Sequence, residues 1–302
     1  MASDRPAWWR SRLPVLAIPY GWLLLFFLVP FAIVLKIAFS QSALGVPPYT
    51  PLLDWQEGGW LPRLLGNFDN FALLLEDRLY ILALFGSIKT ALISTGLCLL
   101  LGYPMAYAIA RAQPAWRYPL LMLVVLPFWT SFLIRVYAWI GLLKDNGLLN
   151  SLLLAMGLID SPLPILYTPL AVYIGVTYGY LPFMVLPLYT ILEKQDPSLL
   201  EAAADLGAKP WRAFLTVTLP LSLPGVLAGS LLVFIPAMGE YVVPELLGGP
   251  NAVMIGRTIW NEFFAARDWP LASAVATVLV VVLLLPIVLF QHSQGRQQQE
   301  GR

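Results

Sequence analysis

Charge is what this chain has little of. Asp, Glu, Lys and Arg make up 12% of its 302 residues against 59% apolar types. That ratio excludes an ordinary soluble domain and places the sequence among polytopic membrane proteins. Cysteine and histidine are nearly missing. Lone Cys98 excludes an internal disulfide and a cysteine-built metal site, and lone His292 stands in a Gln-rich polar tail. The sequence has no G-x-x-x-x-G-K-[ST] nucleotide loop, no H-E-x-x-H, no G-x-S-x-G and no cluster of His or carboxylates at ligand spacing. Nothing here can hydrolyse ATP, so an ATP motor would have to be a separate chain, and no metal or cofactor site is expected. A net charge of +1 gives no footing for nucleic acid.

What the chain does have is long apolar runs. A spanning helix needs about 20 apolar residues to cross a core of roughly 30 Å, and six segments qualify: 15–39, 81–110, 119–143, 165–192, 222–243 and 270–290. The predicted fold class is therefore an all-α membrane protein, lodged in the lipid bilayer as one transmembrane domain over 15–290, with polar tails at 1–14 and 291–302. The first run is too long for a signal peptide and lacks a small-residue cleavage pattern, so it is predicted to stay as the first span. Pro104, Pro127, Pro182, Pro187 and Pro236 fall inside spans, where neighbouring helices satisfy the carbonyls they free. Lys and Arg set orientation. With both termini inside, the inner segments hold Arg5, Arg10, Arg12, Arg111, Arg117, Lys194, Lys209, Arg212, Arg296 and Arg302, and the outer ones only Arg63, Arg78, Lys144, Arg257 and Arg267. Acidic residues gather outside, among them Asp54, Glu57, Asp69, Glu76 and Asp77, so the outer face favours a cationic solute or a basic docking surface.

One inner loop, 193–220, is longer than a turn between two spans requires. Asp196-Pro197-Ser198 opens a helix of good formers through Leu206. Gly207 ends or kinks it, and Trp211, Phe214, Leu215 and Thr218 recur at helical spacing before Pro220. The expectation is helix, turn, helix, flat on the membrane surface. The pattern Glu201-Ala202-Ala203, Gly207, Val217, Leu219-Pro220 resembles the cytoplasmic "EAA" loop of ABC-importer permeases, with Val217 where Ile is usual. The resemblance implies a type I importer permease fold in which the first loop helix inserts into a groove of the ATPase subunit, making Glu201, Ala202, Ala203, Gly207, Leu219 and Pro220 the coupling residues.

Further segments narrow the family: Pro47-Pro48-Tyr49-Thr50, Leu65-Gly66-Asn67-Phe68, the run from Thr130 to Trp139, the run from Pro244 to Pro250, and Arg267-Asp268-Trp269-Pro270. These are similar to the putrescine/spermidine importer permeases, above all to the putrescine-system subunit that pairs with a second, different permease. That resemblance implies a bacterial inner-membrane assembly of two homologous permeases, two ATPase subunits that use ATP and Mg, and a periplasmic polyamine-binding protein.

A polyamine path needs carboxylates for its ammonium groups and aromatic faces for its methylenes. Glu240, placed inside the fifth span beside Tyr241, is the leading carboxylate because an unpaired charge there is expensive. Trp129, Tyr137, Trp139, Tyr178 and Tyr180 are candidate walls, or else packing and interfacial aromatics. Arg135 lies at a depth similar to that of Glu240 and offers the competing reading, a structural ion pair. Lys36 near a span end snorkels, and Lys89 in the second span fits a helix end, a cavity or a partner interface. A secondary transporter or channel for an organic cation is the alternative, but it leaves the loop without a purpose. An intramembrane enzyme would need a nucleophile or metal set that is not found.

Overall fold

The computed structural model describes residues 8–54, 63, 64, 66–250 and 252–300, with side chains in 8–14, 53–65 and 289–302 left aside. Arg5, Arg10, Arg12, Arg63, Asp54, Glu57, Leu65, His292, Arg296 and Arg302 therefore lie outside the described residues or have undescribed side chains. The chain packs as two compact units, one of residues 1–77 and 259–278, the other of 78–258 and 279–302.

In the first unit, α1 (Trp8–Leu23), a π turn and α2 (Val29–Ala38) form one apolar helix whose side chains are exposed from Val15 to Pro30 and become partly buried toward Ala38. Asn70 closes its end by donating to the carbonyls of Ala38 (2.9 Å) and Ser40 (2.8 Å), which a helix terminus leaves open. A two-residue ladder joins β1 (Leu53–Asp54) to β2 (Arg63–Leu64). Asn67 then accepts from the Asp69 N–H at 2.6 Å and starts α3 (Asp69–Glu76).

The second unit is built on three long helices, α4 (Arg78–Arg111), α8 (Pro169–Glu193) and α11 (Leu219–Met238), packed against one another. Cys98, Ala106, Ile109, Met184, Val185, Leu188 and Val233 form its core. Cys98 is buried there with its thiol toward the Thr177 carbonyl at 3.4 Å, a packing role. Between α4 and α8 run α5 (Pro114–Val125), α6 (Phe132–Leu143) and α7 (Leu148–Ala155). After α8 come α9 (Ser198–Asp205) and α10 (Pro210–Ala213), and after α11 come α12 (Val242–Leu247), α13 (Ile255–Trp260) and α14 (Trp269–Glu300).

Among the described residues five helices are long and apolar enough to cross a membrane: Val15–Ala38, Arg78–Arg111, Pro169–Glu193, Pro210–Met238 and Trp269–Val288. Three corrections follow. The expected third span, 119–143, is a pair of segments, Pro114–Trp129 and Phe132–Ala155, bent by 90°. Thr130 and Ser131 cause the break: both take extended backbone, and the Thr130 hydroxyl bonds back to the Pro127 carbonyl at 2.8 Å. The expected fifth span, 222–243, begins earlier and stops at Met238. The separate second loop helix does not exist, because α10 is the first turn of one helix running from Pro210 to Met238. Pro220 is accommodated because a π turn, Phe214–Thr218, precedes it and absorbs the misfit of its ring.

Candidate functional site

The loop between α8 and α11 folds by local rules. The Asp196 carboxylate accepts from the Ser198 N–H at 2.9 Å and sets the first turn of α9. That same backbone bond, reinforced by the Ser198 hydroxyl, holds the Asp196 carboxyl below its ordinary value. At the other end the Ala208 N–H reaches the Ala203 carbonyl (2.9 Å) and the Gly207 N–H the Ala204 carbonyl (2.8 Å), the paired bonds of a Schellman cap. Gly207 stands at φ +78° with nothing within 4 Å of where a Cβ would sit. Its need is therefore the left-handed backbone, not a close helix approach. Glu201 and Ala202 are exposed, Ala203 is half-buried, and Leu206 is 89% exposed. Leu219 is half-buried and Pro220 exposed at the start of α11.

The surroundings of Glu240 are the opposite. Glu240 is not inside a span helix: it sits in the break between α11 and α12, 7% exposed. One carboxylate oxygen accepts from the N–H groups of Val242 (3.0 Å) and Val243 (3.3 Å), capping α12, and the other accepts from the Tyr180 hydroxyl. The break is packed from the side by Gly256, where any Cβ would lie 2.4 Å from the Gly239 carbonyl oxygen. Expected inside the fifth span, either to meet cargo or to pair with Arg135, Glu240 is instead held by three donors of the chain itself.

Arg135 does not join Glu240. The ion pairs among the described residues are Arg117–Glu193 at 3.4 Å and Arg257–Glu245 at 2.6 Å. Arg135 instead lies over the rings of Phe128 (5.3 Å) and Phe132 (5.5 Å), with Nε and Nη1 buried and without a hydrogen-bond partner. Phe128 meets Phe183 at 5.2 Å, and Phe183 meets Tyr180 at 6.1 Å. An aromatic row thus stands between the cation and the carboxylate. Trp139 and Tyr178 meet edge to face at 5.4 Å, whereas Trp129 and Tyr137 are 76% and 59% exposed. Tyr241 is half-buried. Lys89 is exposed at the wall of a cavity of about 200 Å³ with Tyr173, Val253 and Met254.

Sequence reasoning missed Phe128, Phe132 and Phe183, and it missed the work of the Pro244–Pro250 run. There the Arg257 guanidinium pairs with Glu245 and donates to the Gly249 carbonyl at 2.7 Å, locking the corner after α12. The three-residue spacing of Phe132 and Arg135 on α6 was an available signal, whereas Phe128 arrives from across the break, which spacing does not display.

Five apolar helices with a bent pair describe a multi-pass membrane protein. Its fold is that of importer permeases: a bacterial alginate ABC transporter, solved with its pentasaccharide-bound periplasmic protein, matches at TM-score 0.67 and 21% identity over 96% of this chain and 98% of that one. The chain belongs to the binding-protein-dependent transport system inner membrane components, a family matched by residues 99–297, and within it to the polyamine branch. The spermidine/putrescine transport system permease protein PotB of Haemophilus influenzae is 42% identical over 92% of this chain and 92% of that protein. PotB of Escherichia coli is 40% identical over 89% and 93%. The family resemblance drawn from the loop and the outlying segments is thus confirmed, and the family is one of transport permeases, not of enzymes.

Proposed function

We propose that this chain is a permease subunit of an ATP-driven importer of polyamines, spermidine or putrescine, forming half of the translocation path in a bacterial inner membrane. The observation that carries this reading is the identity of 40–42% with spermidine/putrescine permeases along nearly the whole chain. In this reading the domain spans 15–290, both tails and loop 193–220 face the cytoplasm, and the assembly holds a second, homologous permease, two ATPase subunits that use ATP and Mg, and a periplasmic polyamine-binding protein. The loop is where the ATPase docks. An exposed helix with small side chains at Ala202 and Ala203, and with the Glu201 carboxylate engaged by nothing among the described residues, suits insertion into a groove. Gly207, Leu219 and Pro220 shape the exit from that helix. Trp129, Tyr137, Trp139, Tyr178, Tyr180 and Tyr241 are the aromatic surface offered to the methylene chain, and Glu240 serves it by fixing Tyr180.

The test is reconstitution with the ATPase, the second permease and the binding protein in vesicles. Spermidine or putrescine is expected to stimulate ATP hydrolysis, and uptake is expected to stop when ATP is depleted with ion gradients clamped. Uptake that persists without ATP overturns the reading in favour of a secondary transporter or channel.

A further inference from the structure

Besides the short link back to α8, one route by which a displacement of α9 enters the spans runs through the turn at Gly207 and the first turns of the helix from Pro210 to Met238. Trp211 and Arg212 on that route are exposed, and Ala213 is buried but too short to reach far. Phe214 is the first large side chain seated against another span. Its ring meets Tyr103 at 5.7 Å and 87°, and Tyr107 at 5.8 Å and 88°, both edge to face. The two tyrosines are four residues apart on α4 and so share one face.

The backbone at this point is unusual. Phe214 opens the π turn Phe214–Thr218, which Pro220 accompanies by withholding the N–H that an α-helix would offer to Thr216. The turn is held from two further sides. The Gln195 amide, just past the end of α8, donates to the Thr218 carbonyl at 3.1 Å. Tyr103 and Ser222 share a hydrogen bond of 2.8 Å, and because the Ser222 hydroxyl is spent on the Leu219 carbonyl, also 2.8 Å away, Tyr103 is the donor. Behind the tyrosines, Ala106, Ile109 and Ala110 lie in the close-packed core, so a push on this face moves α4 as a body.

We propose that Phe214, wedged between Tyr103 and Tyr107 at the π turn, is the positioning residue that passes motion of the loop helix to α4. A π turn carries one residue more than an α turn. Resolving it by one position would rotate Phe214 by about 100° and withdraw it from between the rings. The joint therefore has two discrete settings, as a transmitted conformational change requires. The inference rests on the reading of loop 193–220 as the ATPase dock.

The experiment uses the complete complex in vesicles, measuring spermidine uptake and ATP hydrolysis in the same sample. Phe214→Ala is expected to retain the ATPase subunits but to raise the ATP consumed per spermidine imported by about fivefold to tenfold. Phe214→Tyr, which keeps the ring, is expected to stay within about twofold. Adding Tyr107→Ala to Phe214→Ala is expected to do no further harm, because the contact of Tyr107 with the ring is already lost in Phe214→Ala. A mere loss of packing would lower yield or melting temperature and leave the ATP-to-spermidine ratio alone. An unchanged ratio in Phe214→Ala, or losses that multiply in the double variant, overturns the proposal. A cysteine at Ala203 cross-linked to the ATPase separates the two ideas. No cross-link in the otherwise unaltered complex sinks the docking reading, whereas a normal cross-link with a normal ratio in Phe214→Ala sinks only the joint.

Discussion

Helix α9 and the corner after α11 each hold a glutamate that the sequence singles out, and the chain treats the two in opposite ways. Glu201 stands exposed on a short helix whose ends are closed by its own backbone and by Asp196, and its carboxylate meets no hydrogen-bond or ion-pair partner among the described residues. Glu240 is buried, with both oxygens occupied by donors from α12 and Tyr180. A charged group with no partner at home, on a segment that needs nothing from it, points outward to another molecule. A charged group whose partners are all local explains itself by the corner it builds. Motif and burial together, more than motif alone, tell the two apart.

The sharpest way to break the first half of that contrast is at Gly207. Its left-handed backbone costs an L-residue roughly 1–2 kcal/mol, and more for a β-branched one, while Asn adopts it with local hydrogen bonding. Since no atom lies near the missing Cβ, neither Gly207→Val nor Gly207→Asn clashes within the chain, and the two, similar in size, differ in backbone preference and polarity. Val is expected to lower uptake by about tenfold or more at normal membrane level, and Asn by about twofold or less. Equal effects of the two would show that side-chain bulk against the partner, not the turn, governs the site.

Next in size is Glu240. Glu240→Ala strands two buried N–H groups and a phenol, each worth about 1–3 kcal/mol when left unsatisfied, so folded protein is expected to fall steeply. Glu240→Gln keeps an acceptor for α12, and the Tyr180 hydroxyl can accept from the new amide, so about 1 kcal/mol or less is lost. Uptake should then follow the amount of folded permease. A Gln variant that melts normally yet imports several-fold less would mean that the charge itself meets the cargo, and the contrast with Glu201 would collapse.

Most of the helical architecture was legible because lipid forces it: apolar runs long enough to span leave few alternatives. The loop helix was legible for the same local reasons that form it, from Asp196-Pro197 at one end to Gly207 at the other. What escaped were the breaks. Nothing in the hydropathy of 119–143 reports that Thr130 and Ser131 turn the chain through a right angle, because two small polar residues are tolerable in a straight span as well. The sequence offered Glu240 the cargo or Arg135 as a partner and not its actual ones, because two of these are backbone N–H groups, which no side-chain pattern displays. Pro220 looked like a helix boundary, and only the π turn before it shows why the helix passes through.

A smaller effect tests Arg135. Its buried nitrogens face phenylalanine rings, and an aromatic row separates it from Glu240. Removing both charges, as Arg135→Met with Glu240→Gln, should therefore add the two single losses to within about 0.5 kcal/mol in a thermal or denaturant cycle. A coupling well beyond that value would restore the ion pair and give Glu240 a long-range role.

The smallest expected effect lies at the start of α9. The Asp196 carboxyl is held below its ordinary value by the Ser198 N–H, so its contribution to that first turn is complete above the ordinary Asp range and disappears only as pH falls through the lowered value. The residue is exposed, so uptake by Asp196→Ala near neutral pH should stay within about twofold of the unaltered protein. Amide exchange is the finer readout. Near neutral pH the Ala variant should exchange faster at Ser198 through Glu201. At a pH below the lowered value the difference should shrink toward zero, because the protonated carboxyl no longer holds the turn. A gap of the same size at both pH values would mean that the charge has no part in the cap, and that α9 owes its start to Pro197 and to the helix formers that follow.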